Sequence, residues 1–119
     1  MKRNRGSADF LNGVPELLIL HLLADRPRYG YELVRAIREQ SGETFDFGEG
    51  CIYPILHRLE AEGLLESSPQ TVAGRQRFVY RVTAIGRARL IECRSSWSTI
   101  VAGIGRVLQG GSNGQPAVA

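Results

Sequence analysis

Apolar positions recur along the chain in blocks whose period is first helical, then extended, then helical again. Leu17 to Leu23 is apolar on nearly every side except at His21, which predicts a central core helix or part of a subunit interface. Pro15 suits the first turn of that helix and Glu16 the positive end of its dipole. Asp25-Arg26-Pro27 ends it. A second helix is expected from about Tyr29 or Tyr31 to Gln40, with Leu33, Ala36 and Ile37 as its apolar stripe and Ser41-Gly42 as its stop. Thr44 to Phe47 is a short extended candidate, and Gly48-Glu49-Gly50 turns the chain.

In the next block Ile52, Ile55, Leu56 and Leu59 fall at helical spacing and share one face of a third helix that begins near Cys51. At about 100° per residue the opposite face carries Gly50, Pro54, His57 and Ala61, flanked by Tyr53 and Arg58. Pro54 is expected within the first turn, where its missing N–H costs little. The period then drops to two. Leu64 to Ser68 and Gln76 to Val82 read as paired strands, and Pro69 to Arg75 as a connection long enough to project into solvent. Thr83 is a fitting N-cap for a last helix. There Leu90, Trp97 and Ile104 are spaced by seven, as are Cys93, Ile100 and Val107, which predicts a coiled-coil-like seam covered by a partner chain.

Helix, helix, helix, hairpin is the order of a winged helix-turn-helix. The fold expected is mostly α (α+β), with a two-stranded β wing and a long C-terminal dimerisation helix. Residues 1–11 read as a flexible basic arm, 12–82 as the winged helix, 83–108 as the dimerisation helix and 109–119 as a disordered Gly-rich tail. A chain of 119 residues suits this one domain.

Charge sharpens the picture. Residues 1–66 carry eight basic and eleven acidic side chains, whereas residues 67–119 carry seven basic and one acidic. Fourteen of the fifteen basic residues are arginine, the side chain suited to bidentate phosphate or guanine contacts. A coding bias toward GC-rich codons gives the same skew, so the charge raises the case for a nucleic-acid partner without deciding it. Cys51 and Cys93 are too few for a disulfide framework or a cysteine-only zinc site. No apolar run reaches the roughly 18 residues of a membrane span, and no secretory signal pattern follows the basic start, so a cytoplasmic protein is expected. Paired carboxylates, a phosphate-binding glycine loop and metal-ligand spacing are missing, which points away from an enzyme and implies neither cofactor nor metal.

The segments Glu16-Leu17-Leu18-Ile19-Leu20, Tyr29-Gly30-Tyr31-Glu32-Leu33 and above all Gly50-Cys51-Ile52-Tyr53-Pro54 closely resemble the PadR family of transcriptional regulators. So do Leu59-Glu60-Ala61-Glu62-Gly63-Leu64-Leu65 and Tyr80-Arg81-Val82-Thr83-Ala84-Ile85-Gly86. The resemblance covers roughly residues 11 to 108, in order, and is to the short subfamily with a single C-terminal helix. It implies a dimeric winged helix that in most members represses transcription. Position 51 departs from the pattern: a cysteine stands where the family usually has a small hydroxyl residue or alanine.

On this reading Tyr53, Pro54, His57 and Arg58 are the candidate DNA-reading face, since a recognition helix enters the major groove by its N-terminal part. The competing roles are packing of Tyr53 on the second helix and pairing of Arg58 with Glu62. Arg75, Gln76 and Arg77 are the candidate wing contacts, against a merely solvated loop, and Lys2, Arg3 and Arg5 would add phosphate contacts from the arm. Leu90, Cys93, Trp97, Ile100 and Ile104 form the candidate dimer interface. Trp97 is either a packed knob in that seam or, as similar short family members imply, the wall of a flat pocket for an aromatic or cationic effector.

Cys51, near a helix start where the dipole lowers a thiol pKa, is the one candidate for a redox response; the alternative is a plain small residue. Cys93 reads as an inert buried thiol and His21 as a hydrogen-bonded core or interface histidine. The expected function is a homodimeric, sequence-specific DNA-binding regulator, a repressor on a two-fold-related operator released by a small aromatic effector. The rivals are a winged helix used for protein–protein contact and a thiol-responsive regulator acting through Cys51.

Overall fold

The computed structural model describes residues 5–110, with side chains from residue 13 onward. The elements run α1 (Arg5–Asp25), β1 (Arg28–Tyr29), α2 (Gly30–Gln40), α3 (Glu49–Ala61), β2 (Leu65–Val72), β3 (Arg75–Val82) and α4 (Ala84–Leu108). The winged helix-turn-helix expected from the order of elements is what forms.

α3 explains the core. Ile52, Ile55, Leu56 and Leu59 are all buried, against Ile19, Leu20 and Leu23 of α1 and Leu33, Ala36 and Ile37 of α2. At about 1.5–3 kcal/mol for each large aliphatic side chain removed from water, these four fix which face of α3 points inward. They thereby fix the opposite face, Gly50, Pro54, His57 and Ala61, toward solvent. Pro54 lies deeper in the helix than the first turn, because α3 starts at Glu49. The donor it lacks would have served the carbonyl of Gly50, on the exposed side where water can replace it.

The sheet has three antiparallel strands in the order β1-β3-β2, where two were expected. β1 is only Arg28–Tyr29, too short to show a period, and pairs Arg28 with Tyr80 and Tyr29 with Val79. The wing is also tighter than expected. β2 and β3 pair without interruption from Leu65↔Val82 to Val72↔Arg75, leaving the two-residue turn Ala73-Gly74. Both turn residues have positive φ, 53° and 77°, as a two-residue hairpin turn requires. Pro69 does not break the ladder because β2 is an edge strand. Thr44 to Phe47 forms no strand; Phe45 and Phe47 instead stack, with ring centroids 5.6 Å apart, and pack on the core.

The two long helices differ from expectation. α1 extends ten residues upstream of Pro15, so residues 5–11 are helical and not an arm. Pro15 itself is fully buried inside the helix, which makes it a tolerated interior proline and not a start signal. Met1–Asn4, with Lys2 and Arg3, and the side chain of Arg5 lie outside the described residues, as does the tail from residue 111. The second is α4. Thr83 caps it as expected, its hydroxyl accepting from the Gly86 N–H at 3.0 Å and donating to the Gly63 carbonyl at 2.7 Å. The helix then does find a surface in its own chain. α1 runs antiparallel beside it, Leu90 enters the common core, and Trp97 sits 3.4 Å from where a Cβ on Gly13 would stand.

Candidate nucleic-acid interface

α3 has three sides besides its buried one, and each has a different chemistry. The outer side is the exposed line Gly50, Pro54, His57 and Ala61, with no large apolar side chain on it. A line so placed suits close approach to a flat partner.

The flank toward α2 and the wing is aromatic. Tyr53 leans over Gly30, the first residue of α2; a Cβ there would meet the tyrosine ring at 2.6 Å, so only glycine admits this contact. Tyr29 and Tyr31 stack with centroids 5.8 Å apart and planes within 7°. The Arg77 guanidinium of β3 lies 4.7 Å above the Tyr31 ring. The Tyr29 hydroxyl and Gln70 of β2 are 2.9 Å apart, tying the wing to this flank. Tyr29, Gly30, Tyr31, Tyr53 and Arg77, together with His57, Gln76, Phe78 and Tyr80, line an open notch of about 230 Å³. Burial, with Glu49 adding to it, pushes the Tyr53 phenol above its ordinary value despite the opposing charge of Arg77, so it remains an O–H donor at neutral pH. Tyr80 is pushed up likewise by burial.

The flank toward α1 and α4 is ionic. Glu16, only 12% exposed, accepts from Arg58 of α3 at 3.0 Å and, through its other oxygen, from Arg89 of α4 at 3.0 Å. The Cys93 thiol points at that second oxygen at 3.7 Å, and Arg58 also pairs with Glu62 at 3.3 Å. Glu16 therefore does not serve a helix start, as its position beside Pro15 suggested; it sits in the middle of α1 and bridges three helices. Cys93 is half-buried, and burial followed by the nearby carboxylate pushes its thiol up, in keeping with an inert thiol.

The structure thus brings Tyr53, His57, Gln76 and Arg77 together around one notch, with Pro54 beside them on the outer face. It separates Arg58 from that group by turning it into the Glu16 bridge. Arg75 is exposed at the tip of the wing, next to the turn. Sequence reasoning missed Tyr29, Tyr31 and Gly30 as parts of this flank. Their signal was the Tyr-Gly-Tyr spacing, which places two rings on either side of the glycine.

The expected dimer seam divides in two. Leu90 is 7% exposed within its own chain and the Cys93 thiol donates to Glu16, so both already have contacts inside the protomer. Trp97 is half-buried, beside a shallow surface concavity lined by Leu17, Arg94, Ser98, Val101 and Ala102. Ile100, Val101, Ile104, Val107 and Leu108 are exposed large apolar residues along the second half of α4. Cys51 is exposed in the first turn of α3. Among the described residues no cluster could hold a metal ion, and no helix is long and apolar enough to cross a membrane.

Comparison with known proteins matches residues 19–92 to a family model described as "Transcriptional regulator PadR-like family". The chain is 44% identical over 86 residues to "Transcriptional regulator Rv3488" of Mycobacterium tuberculosis, covering 72% of this chain and 78% of that protein. Among solved structures it is similar to a transcriptional regulator from Clostridium thermocellum, with TM-score 0.76 and 28% identity, covering 82% of this chain and 96% of the other. It is similar also to the PadR-like transcriptional regulator BC4206 of Bacillus cereus, with TM-score 0.73 and 32% identity, covering 86% and 98%.

Proposed function

Since the chain belongs to the PadR-like family of transcriptional regulators, we propose that it acts as a cytoplasmic homodimeric repressor that grips a two-fold-related operator with α3 and the wing. Regulators of this family bind DNA, are typically dimeric and are not enzymes. The observation that carries the reading here is the exposed outer line of α3 standing beside a wing that bears Arg75 and Arg77. Pro54 and His57 reach base edges in the major groove, while Arg75, Gln76 and Arg77 follow the backbone.

Two-fold binding needs a dimer, and the exposed apolar half of α4 supplies its surface. Ile100, Val101, Ile104 and Leu108 continue the stripe whose first half, Leu90, Cys93 and Trp97, is taken up against α1. A patch of this kind is uncommon on a monomer. Trp97 stands at the junction of the two halves, where a flat aromatic or cationic effector stacking on the indole would alter the angle between protomers. Half-sites about one helical turn apart make affinity sensitive to such a change.

The test is the DNA retained by the purified protein, sequenced and then titrated across a salt series. A pseudo-palindromic site, bound with an affinity that falls steeply with salt, is the expected result. Retention of no DNA, with a dimer still present in solution, would favour a winged helix used for protein contacts. Replacing Ile100 and Ile104 by glutamate should give monomers or insoluble protein. A soluble native dimer of that variant places the interface elsewhere.

A further inference from the structure

The aromatic flank of α3 has more construction than wing packing needs. The Arg77 guanidinium carbon lies 4.7 Å over the Tyr31 ring, Tyr31 is stacked on Tyr29, and Tyr29 is tied to Gln70 of the opposite wing strand. A guanidinium held over a ring by cation–π attraction uses none of its N–H donors for a carboxylate. Among the described residues Arg77 has no carboxylate partner, unlike Arg58 and Arg89. The Tyr53 hydroxyl and His57 line the same notch, which opens to solvent. Donors therefore converge there, with Glu49 near Tyr53, Glu60 near Tyr80 and Glu32 beside Tyr29 as the opposing charges.

Its place on the helix says what the notch receives. An α-helix is roughly 10–12 Å across with its side chains, and the major groove is about 12 Å wide. A helix lying in that groove turns its outer line to the base edges and its flanks to the two phosphate walls. The notch is on a flank.

We propose that this notch seats one phosphodiester group of the bound duplex, contacted by Arg77 and Tyr53, and that Tyr31 is the positioning residue that fixes the Arg77 guanidinium. The proposal rests on the DNA-binding reading and goes beyond it by assigning a single phosphate and a residue that acts through another. Tyr31 contributes through its ring, so its hydroxyl is dispensable.

The experiment uses the full chain and a duplex carrying its retained site, with affinity followed across a salt series and with single-phosphate ethylation interference. Arg77→Gln should weaken binding several-fold, about fivefold or more at moderate salt, and flatten the slope of log affinity against log salt by roughly one unit. Ethylation at one phosphate in each half-site should interfere with the wild-type protein and cease to interfere with Arg77→Gln. Tyr31→Ala should reproduce most of the affinity loss, and Tyr31→Phe should restore it. Combining Tyr31→Ala with Arg77→Gln should cost no more than Arg77→Gln alone, because the two act through one contact. Additive losses, a Tyr31→Phe variant as weak as Tyr31→Ala, or ethylation interference that survives Arg77→Gln each overturn the proposal while leaving DNA binding intact. A wild-type protein that binds no duplex at all overturns the underlying reading as well.

Discussion

The two flanks of α3 each carry an arginine, and the structure treats them oppositely. Arg58 is clasped by Glu16 and Glu62 and so spends its charge within the chain. Arg77 rests on the face of Tyr31, which steadies the guanidinium without neutralising it. One arginine is a structural tie between α3 and α1; the other remains available to an anion. The difference lies in what faces each residue and not in the arginines themselves. A basic residue beside a recognition helix is thus a DNA contact only where its neighbours leave the charge unspent.

That comparison is most strongly tested at Glu16. Glu16→Ala removes the acceptor shared by Arg58, Arg89 and the Cys93 thiol, and leaves two arginines directed at one another. Hydrogen bonds to charged groups contribute about 1.5–3 kcal/mol each, and the partial exposure of both arginines reduces this, so a loss of about 2–3 kcal/mol is expected. Urea denaturation at fixed protein concentration should show a lower midpoint with the same slope. Arg58, once released, should also gain some affinity for DNA phosphate. An unchanged midpoint would make the bridge ornamental and undo the contrast between the flanks.

How far this was legible from the residues alone follows the same division. The apolar period of Ile52, Ile55, Leu56 and Leu59 set the direction of α3, and Thr83 marked the start of α4, because both are local signals. Leu90 was expected in a dimer seam and is covered within its own chain, because heptad spacing shows only that a stripe will be covered, not which chain covers it. Glu16 and Arg58 are 42 residues apart, and Glu16 and Arg89 73 apart, so nothing in local pattern could pair them. The alternative pairing of Arg58 with Glu62, one turn on, was readable and does form. The wing turn was missed because Pro69 suggested a loop, whereas an edge strand accommodates a proline. The stack of Tyr31 under Arg77 joins residues on different elements and likewise left no trace in the spacing.

A second test addresses the aromatic flank. A Cβ at residue 30 would stand 2.6–2.9 Å from the outer atoms of the Tyr53 ring. These are the far end of a side chain that can swing, so Gly30→Ala should displace Tyr53 more than it unfolds the protein. Stability should fall by about 1 kcal/mol, within the usual range for a single substitution. DNA affinity should fall roughly fivefold through loss of the Tyr53 donor, the energy of one ordinary hydrogen bond. Tyr53→Phe should reproduce that affinity loss with a smaller change in stability. If Gly30→Ala costs stability but no affinity, Tyr53 is a packing residue and the notch lacks one of its donors.

The smallest effect, and the one that separates the flanks most cleanly, is expected at Arg58. The sequence alone places Arg58 beside His57 and therefore among the base-reading residues, where loss of a base contact would cost about 1–3 kcal/mol of discrimination. In the structure its guanidinium is directed to Glu16 at 3.0 Å and to Glu62 at 3.3 Å, both on the side away from the wing. The Arg58 guanidinium is held above its ordinary pKa by these two carboxylates, against the opposing effect of burial, so it stays charged and paired throughout the pH range of a binding assay. Arg58→Ala should therefore lower stability by about 0.5–1 kcal/mol, the scale of a partly exposed ion pair. Glu16 keeps its bond to Arg89 in that variant, which is why the loss stays below that of Glu16→Ala. Base preference, measured by selection from a randomised duplex library, should match the wild type, and the salt slope should change by well under one unit. His57→Ala in the same selection should relax preference at one position of each half-site. Relaxed preference in Arg58→Ala would mean that the Glu16 bridge opens on DNA and that both flanks of α3, and not one, meet the duplex.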